Sequence, residues 1–168
     1  MNKPVIAMLM LSITLSGCAA ALKEMKADEE RRQNEERQAK NKQQADEIRN
    51  RERLENSLLN NSDTVTCSTK IKCEKAFSLT KVFIQQHTDM KIQFSDDTTV
   101  STYNAPADRP FYVSMTAIKI PGIGESANII LTASCKSLSD KQGLAFSLCA
   151  DKIAEIYEGF KPFVESKL

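Results

Sequence analysis

Five cysteines are the residues of this chain with the most evident chemistry. Cys18 closes an apolar run near the start and is treated separately below. The remaining four are Cys67, Cys73, Cys135 and Cys149, and they allow three disulfide pairings among which the sequence alone does not choose. We favour Cys67–Cys73 and Cys135–Cys149, because each pairing closes a short loop beside a predicted helix. A four-thiolate zinc site is the alternative, although Cys-x5-Cys and Cys-x13-Cys differ from the Cys-x2-Cys spacing of tetrahedral sites.

Three further polar positions could carry chemistry. The single histidine, His87, stands at the predicted C-terminal end of a helix, where the helix dipole stabilises a positive charge. We prefer this structural role for His87 to a catalytic one. Asp96 and Asp97 are adjacent carboxylates that more often shape a turn than bind a metal. Tyr103 and Asn104 form a possible binding pair for a polar ligand. The interpretation that we prefer packs Tyr103 beneath the loop 105–110, with Asn104 turning the chain.

Recognisable catalytic patterns are missing from the sequence. It contains no nucleophile elbow, Gly-rich phosphate loop or HExxH pattern, so we expect no enzyme, no cofactor and no catalytic or metal site. The 23 basic and 22 acidic residues nearly cancel, which argues against a nucleic-acid partner.

The first residues have the form of an export signal. Lys3 supplies a positive charge, and residues 5–14 form an apolar run too short to span a bilayer, which needs about 20 apolar residues. The run ends in Leu15-Ser16-Gly17-Cys18, which resembles the lipobox of bacterial lipoproteins: an aliphatic residue, two small residues and a cysteine. An ordinary secretory signal is the alternative.

The lipobox resemblance implies that residues 1–17 are a signal peptide and that Cys18 is lipidated at the mature N-terminus. Ala19 and Ala20 follow, and the lack of an aspartate there implies sorting to the outer membrane of a Gram-negative envelope, facing the periplasm. Setting Cys18 aside leaves an even number of cysteines, as disulfides in an oxidising compartment require.

A charged segment follows the anchor region 18–22. Residues 23–56 hold ten basic and ten acidic residues and no Gly, Pro or aromatic residue, a composition that favours helix. Opposite charges at i and i+4, in the pairs Asp28/Arg32, Glu36/Lys40 and Glu47/Arg51, support an exposed helix. Apolar residues do not repeat as a coiled-coil seam, so we expect a solvated helical spacer over 23–59. Pairing of this helix with itself or with a partner remains open.

The remainder has the pattern of a small domain. After a linker over 60–66, we expect a globular domain over 67–168 of class α+β, in the order helix, four strands, helix, with both helices on one face of an antiparallel sheet. Helical periodicity over 74–87 and from 146 to 163 marks the helices, and period-two alternation marks four strands. The strands are expected at 91–94, 98–103, 111–118 and 129–135.

The domain resembles a family of small proteobacterial lipoproteins and exported proteins. The similarity covers roughly residues 67–150 and follows the motifs Lys91-Ile92-Gln93, Asp97-x-x-Val100-x-Thr102-Tyr103-Asn104, Thr116 to Gly124, and the cysteines. Its most specific part is Thr102-Tyr103-Asn104. The resemblance implies the fold and paired cysteines and brings no activity.

These observations lead us to expect a lipid-anchored envelope protein that presents a small binding or structural domain on a helical spacer. Its partner would be an envelope protein or a cell-wall component. A part in an envelope-spanning secretion or phage-lysis assembly is one alternative, and a periplasmic enzyme with an unrecognised site is the other.

Overall fold

A computed structural model describes residues 4–60, 62–140 and 142–168, and the side chains of residues 4–21 and 140 lie outside it. Residues 15–18, with the expected lipidation site Cys18, are therefore outside the described side chains. The chain divides into two compact units, residues 1–44 and 45–168. Among the described residues, no helix has both the length and the apolar character needed to cross a membrane.

Helix α1, Pro4–Leu59, runs from the first unit into the second. In the first unit the described side chains, from Leu22 to Gln44, are all exposed. Asp28 pairs with Arg31, and Glu29 pairs with Arg32 at 2.7 Å, so these partners stand three residues apart where Asp28 was expected to pair with Arg32. Local pairs of this kind support an exposed helix by only a few tenths of a kcal/mol each, roughly 0.2–0.5.

The second unit contains a five-stranded antiparallel sheet and two further helices. Their order along the chain is β1 (Thr64–Cys67), α2 (Lys70–His87), β2 (Ile92–Ser95), β3 (Thr99–Thr102), β4 (Ser114–Pro121), β5 (Ala127–Ser134), a short 3₁₀ helix (Lys136–Asp140) and α3 (Leu144–Glu165). The spatial strand order is β1-β5-β4-β3-β2. The α+β class and the placement of both helices against one face of the sheet are thus confirmed.

The expected four strands and the expected linker need correction, because residues 64–67 form strand β1. Thr64 pairs with Ile130 and Cys67 with Ala127, so β1 forms one edge of the sheet beside β5. Four residues are too few to show a convincing period of two, which is why the sequence pattern missed this strand. Helix α2 also begins earlier than expected, at Lys70, where the Thr69 hydroxyl accepts the Lys72 amide as an N-cap.

The core lies between the sheet and the pair α2 and α3. Burial alternates along β5, where Ala127, Ile129, Leu131 and Ala133 point inward, and α2 and α3 cover this face with their apolar stripes. Each large aliphatic or aromatic side chain buried here contributes about 1.5–3 kcal/mol. Tyr157 of α3 is buried too, and its hydroxyl accepts the Ala133 amide at 3.0 Å, which joins the helix to the sheet. Burial raises the pKa of this phenol.

The structure confirms the favoured cysteine pairing. Cys67 and Cys73 lie at disulfide distance with Cα atoms 5.2 Å apart, and Cys135 and Cys149 do so with Cα atoms 6.3 Å apart. The first pair joins the end of β1 to the first turn of α2, and the second joins the end of β5 to α3. Because the four sulfur atoms form two separate pairs, the four-thiolate zinc site is wrong.

Replacing both Cys135 and Cys149 with alanine should lower the free energy of unfolding by roughly 3 kcal/mol, as chain entropy predicts for a loop of about 15 residues. The matched double replacement of Cys67 and Cys73 should cost somewhat less because its loop is shorter. Urea denaturation checks both values. A double variant as stable as the wild type, or non-reducing peptide maps that join Cys67 to Cys135 or Cys149, would contradict the assignment.

Candidate interaction surface

The second face of the sheet is left uncovered by α2 and α3. Burial alternates with a period of two on the longer strands. Residues that alternate with the buried ones therefore point away from α2 and α3, to the second face. We call this surface the open face. It comprises Thr64, Thr66, Phe94, Thr99, Ser101, Ser114, Thr116, Ile118, Ile120, Asn128, Ile130, Thr132 and Ser134.

Charge is missing from the open face. Charged residues make up 27% of the chain, yet none of the described strand residues that point to this side is Asp, Glu, Lys or Arg. The one charged strand residue, Lys119, lies on the covered side, where its ammonium sits 5.3 Å from the centre of the Phe77 ring. The open face therefore differs in composition from the chain as a whole.

Hydroxyl and amide groups provide most of the open face, with a few apolar side chains among them. The Thr66 hydroxyl donates to the Asn128 side-chain oxygen at 2.9 Å, and the Ser114 and Ser134 hydroxyls lie 3.3 Å apart. Ile118 stands directly opposite Ile130 across β4 and β5. Phe94, on the edge strand β2, is half exposed. The surface therefore combines hydrogen-bonding groups with Phe94 and with three neighbouring isoleucines, Ile118, Ile120 and Ile130.

One corner of the open face forms a hollow of about 290 Å³. We call it the Asn104 hollow, and its lining residues are Asn104, Ala105, Ser114, Ser134, Cys135 and Lys136. Tyr103 precedes Asn104 in the chain and is 51% exposed, and its backbone amide donates to the Lys91 carbonyl at 3.0 Å. About half of the Tyr103 surface is covered, and its packing beneath the loop 105–110 stays a prediction.

The structure adds partners to Asn104 that sequence reasoning missed. Ser114 opens β4 and Ser134 closes β5, and they meet only because these two strands pair in this register. Lys136 follows two residues after β5 and supplies the one cation of the hollow. The sequence does show serine and threonine at alternate, outward-facing positions of both strands. This pattern does not by itself give the register in which β4 pairs with β5.

The remaining candidate residues have structural roles. His87 ends α2 and stacks on Phe83 with ring centres 4.1 Å apart. The Asp96 carboxylate accepts the amides of Thr98 and Thr99 at 2.7 and 2.6 Å, which shapes the turn between β2 and β3 and lowers the pKa of Asp96. Within the part of the chain whose side chains are described, no three metal-ligating groups cluster.

The last turns of α1 pack on α3 within the second unit. Arg53 binds the Glu158 carboxylate through two nitrogens, at 2.8 and 2.5 Å, and binds Asp151 at 2.6 Å. Asn50 donates to the Ser147 hydroxyl at 2.8 Å, and Leu54 packs against the core. We call this set the α1–α3 contact. The expected solvated spacer over 23–59 is therefore corrected, because residues 45–59 belong to the domain.

Electrostatics favours the α1–α3 contact at neutral pH. The hydrogen bond from Arg53 lowers the pKa of Glu158, and the same bond raises the pKa of Arg53. Glu158 stabilises the folded state above its ordinary pKa of 4.5, and this contribution is lost as the pH falls through the lowered value of the folded protein. The carboxylates are about half exposed, so solvent reduces the energy of each pair.

Scanning the chain against protein-family models and searching the curated proteins with it gave no match.

The α1–α3 contact predicts a local effect of Arg53→Ala. Amide hydrogen exchange of residues 45–59 should become up to about fivefold faster, because the charged side chain that joins both carboxylates of α3 is removed. The free energy of global unfolding should fall by only about 1 kcal/mol or less, as is usual for exposed ion pairs. Exchange measured by mass spectrometry reads the first value, and urea denaturation reads the second.

Arg49→Ala is the matched control, since Arg49 pairs with Asp46 of the same helix at 2.8 Å and is largely exposed. It should leave the exchange of residues 45–59 close to that of the wild type. Equal acceleration in the two variants would contradict the role assigned to Arg53.

Proposed function

We propose that this chain is a lipid-anchored protein of the bacterial cell envelope that acts by binding and not by catalysis. The cysteines carry the proposal. Four of the five cysteines stand in two close pairs, so Cys18 is the one left for another chemistry. Disulfides persist in exported proteins and are rare in the cytosol, so the pairing supports export. The Leu15-Ser16-Gly17-Cys18 motif then indicates that the remaining thiol, that of Cys18, is the site of lipid attachment.

The described surface supports binding over catalysis. The Asn104 hollow is lined by an amide, two hydroxyls and an ammonium group, and it lacks a general base beside a nucleophile. The open face extends well beyond this hollow and carries hydrogen-bonding side chains on four of its five strands, β1, β3, β4 and β5. A broad polar surface without an enclosed reactive group suits a protein that recognises an extended partner.

Location and spacing complete the proposal. Ala19 and Ala20 after the lipidated cysteine favour sorting to the outer membrane, with the domain facing the periplasm. Residues 23–44, whose described side chains are all exposed, act as a helical spacer between anchor and domain. Several acyl chains on one residue bury many methylene groups at about 0.8 kcal/mol each, so such an anchor is effectively permanent.

Cys18→Ala should abolish incorporation of a clickable palmitate analogue in growing cells, because this thiol is the attachment point. Immunoprecipitation followed by fluorescent detection on a gel measures the label. The matched control removes two cysteines elsewhere, Cys67→Ala with Cys73→Ala, and should keep the label. Equal labelling of wild type and Cys18→Ala would overturn the lipoprotein assignment.

The spacer proposal predicts that length matters more than sequence over residues 23–44. Deleting 14 residues there would withdraw the domain by roughly 20 Å if the segment is fully helical, at 1.5 Å per residue. Energy transfer from a fluorophore on the domain to an acceptor in the bilayer of proteoliposomes should therefore rise. Scrambling the segment with its composition kept should leave the transfer unchanged. An increase upon scrambling, or none upon deletion, would contradict a spacer.

A further inference from the structure

We propose that the open face and the Asn104 hollow together bind an uncharged glycan strand of the cell wall. The inference deepens the proposed function and rests on it in one respect, because it takes the partner from the cell envelope. Three observations support it: the composition of the open face, the hollow at its corner and the exposed side chain of Tyr103.

The composition of the open face disfavours charged partners. A phosphate polymer or an anionic membrane surface is held by clustered lysine and arginine, and the outward-facing strand residues include neither. Lys91 and Lys136 lie beyond the strand ends, at the Tyr103 corner. The centre of the face, around Thr116 and Thr132, offers hydroxyls to a partner that carries no charge.

The same composition disfavours a protein partner. The buried parts of protein interfaces are enriched in aromatic residues, methionine and arginine, and serine and threonine are under-represented among the residues that contribute most binding energy. Serine and threonine make up the majority of the open face, and its apolar part is the neighbouring group Ile118, Ile120 and Ile130 together with Phe94. A hydroxyl both donates and accepts hydrogen bonds and rotates to suit its partner, as do the hydroxyls of a sugar.

The Tyr103 corner has the groups that orient a sugar ring. The exposed Tyr103 ring offers an apolar surface to the C–H side of a pyranose and a phenol group at its tip. The next residue in the chain, Asn104, lines the hollow of about 290 Å³ together with Ser114, Ser134 and Lys136. That volume lies at the lower end of ligand pockets and suits one unit of a longer chain. The remaining units would then lie across the open face.

Co-sedimentation tests this proposal with the full-length lipidated protein in detergent. Purified cell-wall sacculi and insoluble chitin are the probes; chitin is a β-1,4-linked chain of N-acetylglucosamine, which has the same backbone linkage as the cell-wall glycan and lacks its lactyl groups and peptide stems. The wild type should sediment with both, and soluble chito-oligosaccharides should release it. Thr132→Lys, which adds a charge at the centre of the open face, should weaken binding at least tenfold, as should the second variant, Tyr103→Ala with Asn104→Ala.

Two variants are the matched controls. Ser78→Lys adds the same charge at an exposed position of α2, on the covered side of the sheet, and should bind like the wild type. Thr132→Ser keeps the hydroxyl at the altered site and should retain most binding. Circular dichroism and thermal unfolding confirm that each variant folds.

Several outcomes would overturn the proposal. These are failure of the wild type to sediment with chitin, release from sacculi by stem peptides but not by chito-oligosaccharides, or equal weakening by Thr132→Lys and Ser78→Lys. A dimer that Thr132→Lys dissociates, found by ultracentrifugation without glycan binding, would assign the open face to a second copy of the chain. Palmitate labelling of the same preparation reads the anchor separately, so failure of this inference and failure of the lipoprotein proposal are distinguishable.

Discussion

The alternation of side chains along β4 and β5 is the constraint on which the rest of the domain depends. Met115 and Ala117 on one strand, and Ile129 and Leu131 on the other, point to the same side and need a cover. Helices α2 and α3 provide it, and about 120 residues offer no third layer for the opposite side. A sheet covered once must leave its other face to solvent or to a partner. The open face is therefore a direct consequence of how the core is built.

The two cysteine pairs link strands of the sheet to the helices that cover it. Cys67 closes a four-residue edge strand that could easily separate from β5, and its bond to Cys73 holds that strand to α2. Cys135 follows the last residue of β5, and Cys149 holds α3 above it. A small domain gains little margin from its core alone, so covalent links at both sites have a large share in its stability.

Much of this fold was predictable, and the omissions have physical causes. Long periodic segments identified α2, α3, β4 and β5, because repeated apolar positions are a strong local signal. Strand β1 is too short for that signal and is specified by its pairing with β5. The α1–α3 contact was also missed, since Glu47, Asn50 and Arg53 face α3 through polar groups, and a polar stripe is indistinguishable in sequence from a solvated one. The sequence marked Asn104 as a candidate binding residue. It could not indicate that Ser114 and Ser134 lie beside Asn104, because that proximity depends on the register of β4 and β5.

The α1–α3 contact also bears on how the open face could work. Residues 45–59 meet α3, and α3 lies on the covered side of the sheet, so the attachment of the helix leaves the open face accessible. A spacer that entered the domain through the open face would compete with any partner there. The contacts between α1 and α3 are mainly polar. If α1 carried an apolar stripe instead, it would expose a hydrophobic surface whenever the helix separates from the domain. Under the proposed function, the helical side of the domain provides attachment and the uncharged side provides recognition.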